Sequence, residues 1–204
     1  MRRAFAHRCR SLIKHPVYAK FFCPDCHKPD LDQFQRSVNY FLLYLLPQSF
    51  TVDNTLLVHR YREYQRLLHP DILQARGLDC QDYSKCISLA YTTLQLDVTR
   101  AQYLVRTMQL QLHGRALTPE STFQDAQFME EMFDLRCELQ AAREDCEALA
   151  RVVRTSQREK AAYVQAVGRA FEEKDWKTAE ELTVRLQFLQ KLCEDAKEMG
   201  REAN

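Results

Sequence analysis

Apolar positions between Asp53 and Leu94 recur at helical spacing on either side of a proline. Leu57, Tyr61, Tyr64 and Leu68 follow one another at intervals of four, three and four, which places them on one face of a helix. Asp53 stands where an N-cap would take up the first free backbone N–H groups. Pro70 ends the run, because it disfavours the α region at His69 and has no N–H for the next backbone bond. Tyr83, Ile87, Ala90 and Leu94 then repeat the interval pattern. Two antiparallel helices are therefore expected, joined by a loop that opens on His-Pro-Asp and holds Gly77 in a turn-like stretch.

A third amphipathic piece, Arg100 to Leu112, continues the chain, and HGRALTPES after it reads as a linker punctuated by Gly114 and Pro119. Beyond lie three more helical patterns: Phe128, Met132, Leu135 and Leu139; Val153, Val164, Val167 and Phe171; Leu182, Leu186 and Leu189. Asp175, just ahead of Trp176, is placed to cap the last of them. The expected fold class is all-α, a helical hairpin with an exposed loop joined to a three-helix bundle.

Composition agrees. Four glycines and six prolines in 204 residues favour helices over sheets, and the length suits one or two small domains. A net charge of +1 carries no polyelectrolyte signal, so no nucleic-acid partner is expected. No membrane partner is expected either, because NYFLLYLLP, the most apolar run, is too short to span a bilayer and ends on proline. Charge is nevertheless uneven: Glu120 to Glu147 holds nine acidic residues against Arg136 and Arg143, whereas Thr55 to Arg66 holds Arg60, Arg62 and Arg66 against Glu63. Two regions of opposite character suggest two different partners.

The N-terminal stretch MRRAFAHRCRSLIKHPVYAKFFCP is basic, with no acidic residue before Asp25. That is the composition of a mitochondrial transit peptide, with a disordered basic arm as the alternative. Cys80, Cys86, Cys137, Cys146 and Cys193 fall in helical patterns without framework spacing and are expected as free thiols.

The stretch YQRLLHPD sets a histidine two residues from an aspartate, which invites a catalytic pair. Catalysis would require a nucleophile or metal and a concave, water-excluding pocket. The chain has no HExxH, no glycine-rich phosphate loop and no nucleophile elbow. An exposed loop after a proline suits a turn, or a docking knob beside a basic helix face. No enzyme is expected.

YREYQRLLHPD, with the loop after it and SLAYTTL, resembles a J domain, whose His-Pro-Asp loop docks on a DnaK-class chaperone and stimulates its ATPase. NYFLLYLLPQSFTVDNTLLVHRYREYQ, RAQYLV, DAQFMEEMFDLRCELQ and DWKTAEELTVRLQFLQKL extend the likeness in order from residue 39 to residue 197. Together they resemble the HscB-type J-domain cochaperones of iron-sulfur cluster biogenesis, in their mitochondrial form. A general J protein would lack the patterns of the second half.

The resemblance implies a set of roles. His69, Pro70 and Asp71, with Arg60, Arg62 and Arg66 as the neighbouring electrostatic face, would bind the DnaK-class mitochondrial chaperone. Met129, Glu130, Phe133 and Asp134 on one helix and Phe188 on another would bind an IscU-type scaffold protein. The chain would then deliver the scaffold to the chaperone and promote cluster transfer, as a monomer in the mitochondrial matrix without a cofactor. The alternative is a general J-domain cochaperone or adaptor with a different client. The implied organisation is a transit peptide and CxxC-bearing segment over 1–35, a J domain over 36–112, a linker over 113–121 and the scaffold-binding bundle over 122–204, in an L shape with a fairly rigid junction.

The spacing agrees in part. Met129 and Phe133 lie one turn apart and share a face beside the Phe128, Met132, Leu135 stripe. Phe188 pairs with Val184 on a stripe offset from Leu182, Leu186 and Leu189. A helix that buries more than one face would give the same pattern. Three positions depart from the family: Glu130 stands where an apolar residue is common, Cys137 where a carboxylate is frequent, and Ile72 where bacterial members often have lysine.

FFCPDCHKPD offers Cys23 and Cys26, half of a tetrahedral zinc site, with His27 as a third donor. Family members from animals and plants often carry two such pairs, and FFCPDC resembles the second. The first is missing, and Cys9 lies within the transit-peptide composition. A vestigial, reduced pair is the preferred reading and zinc the alternative, since a closed structural site takes four ligands.

Overall fold

The computed structural model describes residues 39–67, 81–114, 125–143 and 145–202. The described residues form seven helices: α1 (Tyr40–Leu43), α2 (Asn54–Leu67), α3 (Gln81–Gln95), α4 (Asp97–His113), α5 (Ala126–Ala141), α6 (Cys146–Glu172) and α7 (Trp176–Glu202). They fall into two compact units. The first takes the described residues up to Gln48 together with those of Val52–Gln95, and the second takes Ser49–Thr51 together with those from Leu96 onward.

In the first unit α3 packs against both α1 and α2. The Asn39 side chain starts α1 by accepting from the backbone of Phe41 at 2.9 Å and Leu42 at 3.3 Å, and Asp53 starts α2 by accepting from Leu56 at 3.0 Å. Leu57 and Tyr64 of the expected α2 stripe are buried, with Ile87, Ala90 and Leu94 of the α3 stripe. Tyr61 is only half-buried and stacks on Tyr91 with ring centroids 4.0 Å apart. Leu68 lies outside the described residues, as do all of the His-Pro-Asp loop and Gly77.

Two buried tyrosines tie this unit together because each hydroxyl has a partner. Tyr44 donates to the Ile87 carbonyl at 2.8 Å and Tyr64 to the Leu43 carbonyl at 2.6 Å, with the two rings edge to face at 5.5 Å. Burial pushes both phenols well above their ordinary pKa, so they remain neutral donors throughout the physiological range.

In the second unit α4 packs along α7, and Gln109 donates to Glu180 at 2.9 Å. Gly114, at φ 68°, closes α4 by donating its N–H to the Leu110 carbonyl at 3.1 Å. Helix α4 thus packs within the second compact unit, which takes up the chain again from Leu96. Helical periodicity shows that α4 has an apolar face, but not which neighbour covers it.

Phe50 belongs to this unit as well. Its ring stacks on Phe171 at 5.7 Å, and a Cβ on Gly168 would stand 3.3 Å from it, so any larger residue there would make the ring give by a few tenths of an ångström. Arg100, 4 % exposed, donates through Nε to the Phe50 carbonyl at 2.6 Å, lies over the Phe50 ring and pairs with Asp97. A buried guanidinium is tolerated only when its donors are satisfied, as here; desolvation still lowers its pKa.

Helices α5, α6 and α7 form the bundle. Asp125, Asp145 and Asp175 cap them in turn, accepting from Phe128 at 3.0 Å, from Glu147 and Ala148 at 2.9 and 3.0 Å, and from Thr178 at 3.2 Å. One core cluster joins Leu139, Ala142, Leu149, Leu192 and Ala196; another joins Phe128, Met132 and Leu189. Each buried leucine side chain contributes about 2 kcal/mol. Val167, Leu186 and Leu189 are buried as expected, while Leu135, Val153, Val164, Phe171 and Leu182 are half-buried.

Candidate functional site

Arg62 and Arg66 stand exposed on α2, on a face they share with Thr55, His59 and Glu63. His59 Nδ1 lies 3.8 Å from Glu63. Arg60 does not join them. Its half-buried guanidinium donates to the Tyr44 carbonyl, at the C-terminal end of α1. The three-arginine face expected from the sequence is therefore a pair, and Arg60 is part of the scaffolding beneath it. His59, which the sequence reading passed over, occupies the vacated place, since it lies three residues before Arg62.

The second surface lies on α5 and α7. Met129 is 45 % exposed and Phe133 66 %, and they stand one turn apart. Glu130 and Asp134 are exposed beside them, and Cys137 is an exposed free thiol one turn beyond Phe133. Phe188 on α7 is half-buried, its ring edge to face with Phe128 at 5.9 Å. Val184, expected to share Phe188's offset stripe, is 2 % exposed and belongs to the core. The two helices are also joined by Arg136 and Asp195 at 3.1 Å.

Exposed side chains as large as Met129 and Phe133 contribute little to a fold, and placed together with carboxylates at their margin they form an apolar patch with an acidic rim. Such a patch suits docking of a protein surface. Two residues that the sequence reading did not single out lie at its edge. Asp125 caps α5 and also accepts from Arg185 of α7, whose guanidinium lies 5.2 Å from the centroid of the Phe128 ring. An aspartate just before an apolar-periodic run was the signal for Asp125; for Arg185 the sequence carries none.

His69, Pro70 and Asp71 lie outside the described residues, as do Cys23 and Cys26. Among the described residues no group of three or more His, Cys, Asp or Glu could hold a metal ion, and no helix is long and apolar enough to cross a membrane. Burial raises the pKa of Cys86 and Cys193, which makes both poor nucleophiles.

These features define a class: a two-unit protein, all-α over the described residues, with a basic helix face in one unit and an acidic-rimmed apolar patch in the other. Comparison with known proteins carries the assignment further. Residues 124–197 match the family model described as the HSCB C-terminal oligomerisation domain. The human iron-sulfur cluster co-chaperone protein HscB is 30 % identical over 188 residues, covering 87 % of this chain and 74 % of the human protein; the mouse protein of the same name is 31 % identical over 189 residues, covering 87 % and 75 %.

The crystal structure of human co-chaperone protein HscB superposes with a TM-score of 0.72 at 28 % identity, covering 88 % of this chain and 89 % of that one. Chaperone HscB from Vibrio cholerae does so with a TM-score of 0.68 at 26 % identity, covering 82 % and 100 %. The chain belongs to the HscB family of iron-sulfur cluster co-chaperones. Its fold is accordingly an N-terminal J domain followed by a C-terminal helical bundle.

Proposed function

We propose that this co-chaperone is a two-handed adaptor. The bundle holds an IscU-type scaffold through Met129, Glu130, Phe133, Asp134 and Phe188, and the J domain presents the scaffold to a DnaK-class chaperone through His69, Pro70, Asp71, Arg62 and Arg66. The chaperone does the hydrolysis; this chain supplies contact and stimulation and no catalytic group of its own. The site of action is the mitochondrial matrix, in keeping with the basic, acid-free N-terminal stretch. The lone CxxC is left reduced, and no cofactor enters the mechanism.

The observation that carries this reading is the exposure of Met129 and Phe133 on α5, one turn apart beside a capped helix start. A solvated helix face carries polar residues, whereas partner anchors are large apolar side chains with a charged margin. Calorimetric titration of the scaffold against a Met129→Ala, Phe133→Ala, Phe188→Ala variant tests it. Affinity is expected to fall on the order of a hundredfold with helix content unchanged; the melting temperature falls only modestly, because Phe133 is 66 % and Met129 45 % exposed and only Phe188 packs on the core. An unchanged affinity in a folded variant would return the bundle to the general adaptor reading.

A further inference from the structure

The two halves of the apolar patch stand on different helices, Met129 and Phe133 on α5 and Phe188 on α7. A partner meets them in register only if the start of α5 is fixed against the middle of α7. One carboxylate serves both helices. Asp125 Oδ1 accepts the Phe128 N–H at 3.0 Å and so sets the first turn of α5, while Oδ2 accepts from Nη2 of Arg185. Arg185 precedes Phe188 by three residues, and its guanidinium covers the Phe128 ring, which in turn meets Phe188 edge to face at 5.9 Å. Tyr163 of α6 packs on this cluster, and its hydroxyl interacts with the guanidinium. A circuit thus runs from Asp125 through Arg185 and Phe128 to Phe188.

As a device for stability alone this is poor. Arg185 Nε is buried without a hydrogen-bond partner among the described residues, a cost that an apolar side chain in its place would avoid. The pair itself keeps 30 % and 29 % side-chain exposure, so water screens its attraction. What the arrangement does supply is geometry. A planar cation that must meet a carboxylate on its edge and a ring on its face has few places to sit.

We infer that Asp125 and Arg185 are positioning residues for partner binding, holding the α5 half of the patch in register with Phe188 so that the partner meets a preformed surface. The inference rests on the scaffold-binding reading above. Neither residue belongs to the contact set itself.

Two substitutions in the full-length chain separate positioning from stability. Asp125→Asn keeps an acceptor for the Phe128 N–H and removes the charge, and Arg185→Met keeps an apolar stem over Phe128 and removes the unpaired donor. Each is expected to weaken binding of the purified IscU-type scaffold by about tenfold, while Arg185→Met melts at the same temperature or higher. Because Arg185 acts through Phe188, Arg185→Met combined with Phe188→Ala should bind no more weakly than Phe188→Ala alone.

Normal affinity in both single variants, or additive losses in the double variant, overturns the inference; so does a loss of affinity matched by a lower melting temperature in both. If alanines at Met129, Phe133 and Phe188 abolish binding while Asp125→Asn and Arg185→Met bind normally, only the positioning role falls. If those alanines change nothing, the scaffold-binding reading falls and takes the positioning role with it.

Discussion

Arg60 and Arg62 differ in role because they differ in direction. Two residues along a helix turn a side chain by about 200°, so a pair at that spacing cannot share a face, whereas Arg62 and Arg66 at a spacing of four can. The sequence therefore already held the distinction that the structure draws, with Arg60 on the Tyr44 carbonyl and Arg62 and Arg66 in solvent. Ser156 is the opposite case. Nothing in RTSQRE marks it, yet it is fully buried in α6 and its hydroxyl has no hydrogen-bond partner among the described residues. Ser156→Ala removes an unsatisfied group at almost no change in volume, and is expected to raise stability by about 1 kcal/mol. Urea unfolding would show this as a higher midpoint at an unchanged slope; a lower midpoint would mean that the hydroxyl is bonded after all.

Element starts were more legible than element ends. Asp53 and Asp175 stand before their apolar runs and cap them as the spacing predicts, and Gly114 closes α4 as a glycine at that place should. Two other closures escaped the sequence reading because the residue in the left-handed region is not glycine. Leu45 at φ 50° follows α1, where Leu46 donates to the Phe41 carbonyl at 2.8 Å; Lys174 at φ 58° follows α6, where Asp175 donates to the Ala170 carbonyl at 3.0 Å. Both have the hydrogen bond of a Schellman turn, and each carries the steric cost of a Cβ at positive φ. Lys174 is exposed, so Lys174→Gly relieves the strain without disturbing packing and should raise stability by about 1 kcal/mol. A thermal melt of the full chain reads this directly, and a lower melting temperature would show that the lysine side chain contributes more than its backbone costs. The place of Phe50 against Phe171 and Arg100 was not legible at all, since it depends on residues about fifty and a hundred and twenty positions away and on no local pattern.

For the whole molecule, the adaptor reading makes a demand that neither surface makes alone: both contacts must be on the same chain. Tethering turns the second binding event into an intramolecular one, at an effective concentration in the millimolar range for a short connection, so modest affinities suffice when the protein itself is scarce. Two variants isolate the hands. Asp71→Ala keeps the scaffold patch and is expected to abolish stimulation of the chaperone ATPase; the alanine set at Met129, Phe133 and Phe188 keeps the His-Pro-Asp loop and is expected to lose only the scaffold-dependent part. Mixed in equal amounts at about 1 μM, on the order of a thousandth of the tethered value, the two variants contain every wild-type contact but never on one molecule. They should therefore fail to restore scaffold-dependent ATPase stimulation, falling short of the wild-type chain by on the order of a hundredfold. Full complementation by the mixture would show that the patch and the loop act independently, and the chain would then be two binding modules that happen to be joined.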